Sequence, residues 1–179
     1  SSVKSLNYLV LKVKVILSVG LVLLLAGCGP DYIFKDYQTI DSKGWDYNKR
    51  IDFQFEINDT SKVYNLILDV MHADTFASEN AYVKVYTTFP DGKKTEQQLS
   101  LELASKTGNW FGKCSSGSCN LLIGLQENVV FAQSGTYKFS LEQFGRSNPL
   151  TGLSKIGLII ENTGQLRSKL NSGNDKTKK

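Results

Sequence analysis

The chain has 179 residues, 41% of them hydrophobic and 21% charged, with 21 basic residues against 17 acidic ones. That is long enough for one domain with a real core, and too evenly charged for a nucleic-acid-binding protein with a broad basic face. The net charge of +4 is no larger than that of the C-terminal stretch alone, where Arg167, Lys169, Lys176, Lys178 and Lys179 outnumber Asp175.

At the N-terminal end, Lys4, Lys12 and Lys14 precede an uncharged run from Val15 to Gly29, and the first acid is Asp31. A basic segment, an apolar core and small residues before a cleavage point are the parts of a secretory signal. A membrane-spanning helix needs about 20 apolar residues; this run halts at Pro30-Asp31, which favours a cleaved signal over an uncleaved anchor. The ending Leu25-Ala26-Gly27-Cys28 resembles the lipobox of bacterial lipoproteins. That resemblance implies a signal peptide over 1–27, acyl chains on the Cys28 sulfur, and attachment to a membrane through them. Residues 28–44 then read as a tether holding the folded domain off the membrane.

From Trp45 the period becomes two. Ile51, Phe53, Phe55 and Ile57 alternate with polar residues, Asn58-Asp59-Thr60-Ser61 supplies turn chemistry, and Tyr64, Leu66, Leu68 and Val70 alternate again. Ala73 to Glu79 is a polar loop containing Phe76. Ala81 to Phe89 and the row Leu99, Leu101, Leu103 make a hairpin across Phe89-Pro90-Asp91-Gly92. Short strands are expected at 109–113, 120–123 and 129–131, then Thr136–Gln143 after the Ser134-Gly135 turn. Lys155–Asn162 closes the domain. Many short strands with turn signals between them predict an all-β fold: a single antiparallel β-sandwich over 45–162 with Greek-key or jelly-roll-like connections and no helix. Residues 163–179, rich in Ser, Asn, Gly and Lys, are expected to be a basic disordered tail.

Little in the chain points to catalysis. His72 is the one histidine and stands at a predicted strand end, where a surface position is the expectation. The G-x-S-x-G elbow and the phosphate-binding G-x-x-x-x-G-K-[ST] run are both missing. Cys114 and Cys119 flank Ser-Ser-Gly-Ser; in an exported protein such a pair can close a disulfide across a hairpin end, two free thiols being the alternative. Zinc wants four ligands and the histidine is remote. No catalytic residue, cofactor or metal is therefore expected. A carbohydrate-binding envelope lipoprotein is the other reading, with Trp45, Trp110, Tyr47 and Tyr82 as an exposed stacking platform; aromatics that fill the core are the plainer account.

Several ordered motifs carry a family resemblance. They are Thr87-Thr88-Phe89-Pro90-Asp91-Gly92-Lys93, Gly108-Asn109-Trp110-Phe111-Gly112-Lys113 and Phe131-Ala132-Gln133-Ser134-Gly135-Thr136-Tyr137-Lys138-Phe139, followed by Glu142-Gln143, Pro149-Leu150, Gly152-Leu153 and Ile156-Gly157-Leu158. The mature chain from Cys28 to Asn162 resembles the gliding-motility lipoprotein family GldH of the Bacteroidetes. It departs from the family at Cys114 and Cys119, where a Gly- and Asp-rich turn is usual, at Ala132 in place of Pro, and in its basic C-terminal extension. The resemblance implies an accessory part of the gliding or type IX secretion apparatus that works through protein partners. It carries over no catalytic residue, and only Cys28 as a functional position. Gly29-Pro30 is unlike a surface-export signal, so the periplasmic leaflet of the outer membrane is the expected location.

Overall fold

β2 (Ile51–Ile57) shows how the sequence builds the molecule. Its four apolar residues are all buried and the three polar residues between them are all exposed, so the strand has one face on the core and one in water. A similar alternation runs through β4 (Asn80–Thr88), β5 (Lys94–Glu102) and β8 (Gly135–Gln143), whereas β3 (Lys62–Ala73), paired on both sides, has no exposed residue. The structure, a computed structural model, describes residues 29–174; the expected signal peptide and Cys28 lie outside them.

Two sheets face each other. One has the order β1-β9-β3-β7-β6, with β1 at Asp31–Thr39, β6 at Lys113–Ser115, β7 at Ser118–Val129 and β9 at Leu153–Leu166; the other runs β2-β8-β4-β5. All neighbours pair antiparallel. Apart from β6, the chain changes sheet at every connection except the β4–β5 hairpin. That order is a jelly roll, the all-β antiparallel sandwich expected from the spacing of the turns. Leu68, Val70, Val83, Leu141, Ile156, Leu158 and Ile160, from both sheets, are fully covered between them.

Two boundaries need correction. Much of the tether expected over 28–44 is strand: β1 pairs with β9 from Asp31 opposite Asn162 to Thr39 opposite Lys155. The ladder ends in Ile40 N–H donating to Ser154 O at 2.9 Å. Most of β1 is exposed, so its apolar pattern is faint, and backbone pairing holds it. The disordered tail expected over 163–179 is also ordered in its first part. Thr163–Leu166 completes β9, and Arg167–Asn174 forms the short helix α1, where no helix is expected. Arg167 N–H donates to Ser61 O at 2.8 Å, which ties the start of α1 to the β2–β3 turn.

Smaller differences lie around the cysteines. Residues 120–123 and 129, expected as separate pieces, belong to the single strand β7. Trp110 makes an isolated bridge with Ala104, and the strand expected at 109–113 is displaced to β6.

Candidate functional site

Cys28, the expected lipidation site, lies outside the described residues. Cys114 and Cys119 stand opposite each other in the β6–β7 hairpin, their sulfurs joined at 1.98 Å. Ser116 and Gly117 between them both have positive φ, 51° and 81°. A two-residue hairpin with left-handed conformations at both central positions matches the strand twist, which is why Ser-Gly fits there.

Cys119 pairs in register with His72 of β3. The surface position expected for His72 is not what the structure shows: the residue has no exposed area. β3 continues to Ala73 between β7 and β9, and Trp110 folds over it. The indole N–H donates to Asp74 O at 2.9 Å, and its ring lies 4.7 Å from the imidazole. Phe76 packs on the same ring at 5.9 Å. His72 Nδ1 lies 2.8 Å from Ala73 O; a carbonyl only accepts, so Nδ1 carries the proton. Nε2 is buried without a partner. Neither nitrogen meets a hydroxyl or carboxylate among the described residues, so the base of a nucleophilic dyad is not assembled. Nor, among those residues, do three metal-ligating side chains gather.

The four aromatics considered for a sugar platform do not share a face. Trp45 is 2% exposed and donates its indole N–H to Lys49 O at 2.6 Å. Trp110 covers His72. Tyr47 donates to Gly145 O at 2.7 Å. Tyr82 alone is open, 45% exposed, on the outer face of the four-stranded sheet beside Phe144.

A polar arrangement on the outer face of the five-stranded sheet is not evident from residue spacing. Tyr37, Gly157, Asp69 and Leu122 form one row across β1, β9, β3 and β7. The Tyr37 ring lies against Gly157, where any Cβ would collide with it, and donates its hydroxyl to Asp69 Oδ2 at 2.9 Å. Burial, reinforced by the hydrogen bond to Asp69, pushes the Tyr37 phenol above its ordinary range. Lys155 and Lys35 place ammonium groups 4.9 Å and 5.7 Å from the same ring. Asp69 Oδ1 is buried without a partner, and next to it Leu122 is 56% exposed. The sequence signals for this row are an acid between two apolar residues, Leu68-Asp69-Val70, and a glycine between Ile156 and Leu158.

Among the described residues, then, His72 is not set up as a base and no three metal-ligating side chains gather. The sequence model of the GldH lipoprotein family matches residues 32–160. The chain belongs to the GldH lipoprotein family. A gliding motility lipoprotein GldH homolog from Christiangramia forsetii is 25% identical over 147 residues, covering 78% of this chain and 90% of the relative. The gliding motility lipoprotein GldH of Flavobacterium johnsoniae is 23% identical over 146 residues with the same coverage. Among solved structures, the mitogen of Yersinia pseudotuberculosis covers 74% of this chain and 86% of its own at 11% identity, with a TM-score of 0.32; so low a score carries no argument. The GldH match runs from Tyr32 in β1 to Ile160 in β9, so most of β1 lies within the stretch that the family model matches.

Proposed function

We propose that this chain is an envelope lipoprotein, acylated on Cys28, that supports gliding motility or the associated type IX secretion machinery through protein–protein contacts. The observation that carries the reading is the GldH match across 32–160, directly downstream of Leu25-Ala26-Gly27-Cys28. A cysteine at that point receives the acyl chains, and each buried CH₂ contributes about 0.8 kcal/mol, so two or three chains hold the protein at the membrane. The periplasmic leaflet of the outer membrane is the location we propose. The oxidised Cys114–Cys119 hairpin suits such a compartment. The sandwich then acts as a contact module without catalysis of its own.

The test is affinity purification of the full chain from its own cells followed by mass spectrometry, comparing wild type with Cys28→Ser. Gliding or secretion components recovered with wild type and lost with C28S are the expected result. Polysaccharide-utilisation proteins or bound glycan in their place would overturn the reading in favour of a carbohydrate-binding lipoprotein.

A further inference from the structure

The sandwich is closed on one side and open on the other. On the closed side β1 packs against β2, with Phe34 and Phe55 in ring contact at 5.7 Å. On the opposite side the sheets splay apart between β5 and β7, leaving a slot of about 350 Å³.

Two strand edges border that slot. β5 ends the four-stranded sheet and pairs with β4 alone. β6 covers β7 only at 118–120, so from 121 to 129 β7 has no neighbour on that side among the described residues. Each edge carries backbone N–H and C=O groups that no ladder takes up. The two edges differ in regularity. Where β7 is open, its register against β3 shifts between Gly124 and Val129, and Asn128 has a φ of 56°. Bulges of that kind turn an edge away from further pairing. β5 pairs with β4 in unbroken register over its nine residues, none of them Pro or Gly. Its charged residues Lys94, Glu96 and Glu102 all stand on the outward face, opposite Thr88, Tyr86 and Asn80.

The inward row of β5 is Thr95, Gln97, Leu99 and Leu101, opposite Thr87, Val85, Val83 and Ala81. Val83 and Val85 are buried, which fixes the face. From Leu101 to Gln97 the cover falls away: Leu101 is buried, Leu99 half-buried and Gln97 exposed. Across the slot Ile123 and Leu125 of β7 are half-buried. On the floor Tyr137 stacks on Phe55 at 5.6 Å and meets Phe131 edge-on at 4.8 Å. The space is that of a missing row of side chains.

The edges decide the occupant. A hydrocarbon chain laid between them would take water from the backbone groups of both and return no hydrogen bond. An extended polypeptide pairs with the edge of β5 and turns alternate side chains into the slot. None of the lining residues carries a charge, so the inserted side chains are apolar; an ion there would lose its water without meeting a counter-charge. A second copy of β5 cannot supply them, because its Leu101 is buried and its Leu99 half-buried in its own core.

We infer that the edge of β5 receives a strand from another protein, an extended segment with apolar residues at every second position, which fills the slot between β5 and β7. This names the kind of contact in the protein–protein reading proposed above and rests on it.

The full chain is produced in its own cells with p-benzoylphenylalanine replacing Gln97, or replacing the outward Gln54 of β2 as a control. The cells are irradiated and the cross-linked peptides mapped by mass spectrometry. Position 97 alone is expected to join one partner segment of alternating apolar residues. That segment, made as a peptide, should bind the full chain purified in detergent. Binding should fall about tenfold in Gln97→Arg, which puts a charge in the slot, and stay unchanged in Gln98→Arg, which points outward on the same strand. Both positions are exposed, so the fold tolerates either change, as circular dichroism would check. Adducts of position 97 with lipid or with a second copy of this chain, a joined segment without the alternation, or equal binding by the two arginine variants would overturn the inference. A joined strand from a protein outside the gliding and secretion machinery would uphold the strand site and sink the motility reading. Gliding components recovered by affinity purification with no adduct at position 97 would do the reverse.

Discussion

At Gly157 the outer face of the five-stranded sheet has room for a hydrogen and nothing larger, because the Tyr37 ring occupies the place of a side chain. Gly157→Ala is expected to destabilise the fold by about 1–3 kcal/mol, the usual cost of overpacking. Combining it with Tyr37→Ala should cost less than the two single changes together, as read by denaturant unfolding. Tyr37→Phe keeps the ring and removes the donor to Asp69, whose other oxygen already lacks a partner; about 1–3 kcal/mol is the expected loss. Its pH dependence follows from the raised phenol. A group held above its unfolded value stabilises fully below that value, about pH 10 for Tyr, and loses the contribution as pH climbs through the folded value. The stability gap between wild type and Y37F should therefore be constant at neutral pH and close above about pH 10. A gap that persists unchanged at strongly alkaline pH would refute the link. Asp52 runs the other way. Hydrogen bonding from Ser140, with Lys138 as a further partner, holds its carboxylate below the usual range. Its stabilisation is present above the ordinary Asp value and is lost as pH falls through the lower folded one, so Asp52→Asn should matter at neutral pH and cease to matter in strong acid.

β1 is the element that separates a tether from a folded domain. Lys35 and Asp36 stand opposite Ile159 and Leu158, and successive residues of an antiparallel edge strand alternate between pointing their N–H at the partner and at water. Of Lys35→Pro and Asp36→Pro, one should therefore break a ladder bond and lower the melting midpoint, by about 2–4 °C per kcal/mol lost; a true tether would tolerate both. The same physics explains what residue order made legible. Ile51, Phe53, Phe55 and Ile57 announce β2 because all four are buried on one face. β1 has no such stripe, since as an edge strand it is covered mainly at Phe34 and Tyr37. The burial of His72 is not legible in residue order, because Trp110, which packs against it, stands 38 positions further along the sequence. The Cys114–Cys119 hairpin is local and its spacing could be read directly. Replacing both cysteines with Ser is expected to cost about 2 kcal/mol for so short a loop in the chain-entropy account, measured against wild type under non-reducing conditions.

At the scale of the whole molecule, the jelly roll binds its far ends into one unit, and the two tryptophans report on it. Trp45 sits before β2, yet its backbone exchanges two hydrogen bonds of 2.9 Å with Leu150, just before β9. Its carbonyl also accepts from the buried Gln143 side chain at 3.1 Å. Trp110, between β5 and β6, closes over His72 at the end of β3. Both indoles thus depend on contacts between segments far apart in sequence, and losing the sandwich should free both together. Denaturant unfolding followed by tryptophan emission and by far-ultraviolet circular dichroism should give coincident single transitions. Two separated fluorescence steps would show that the loops carrying the tryptophans unfold apart from the sheets. In the native state the same indoles test the glycan alternative. Trp45 is enclosed, and Trp110 is half-buried, its indole N–H given to Asp74 O and its ring beside His72, so the two do not form an open stacking platform. Envelope polysaccharide added to the folded protein should leave tryptophan emission unchanged, and a saturable shift would show that these loops open to admit a sugar and would return carbohydrate binding to the front.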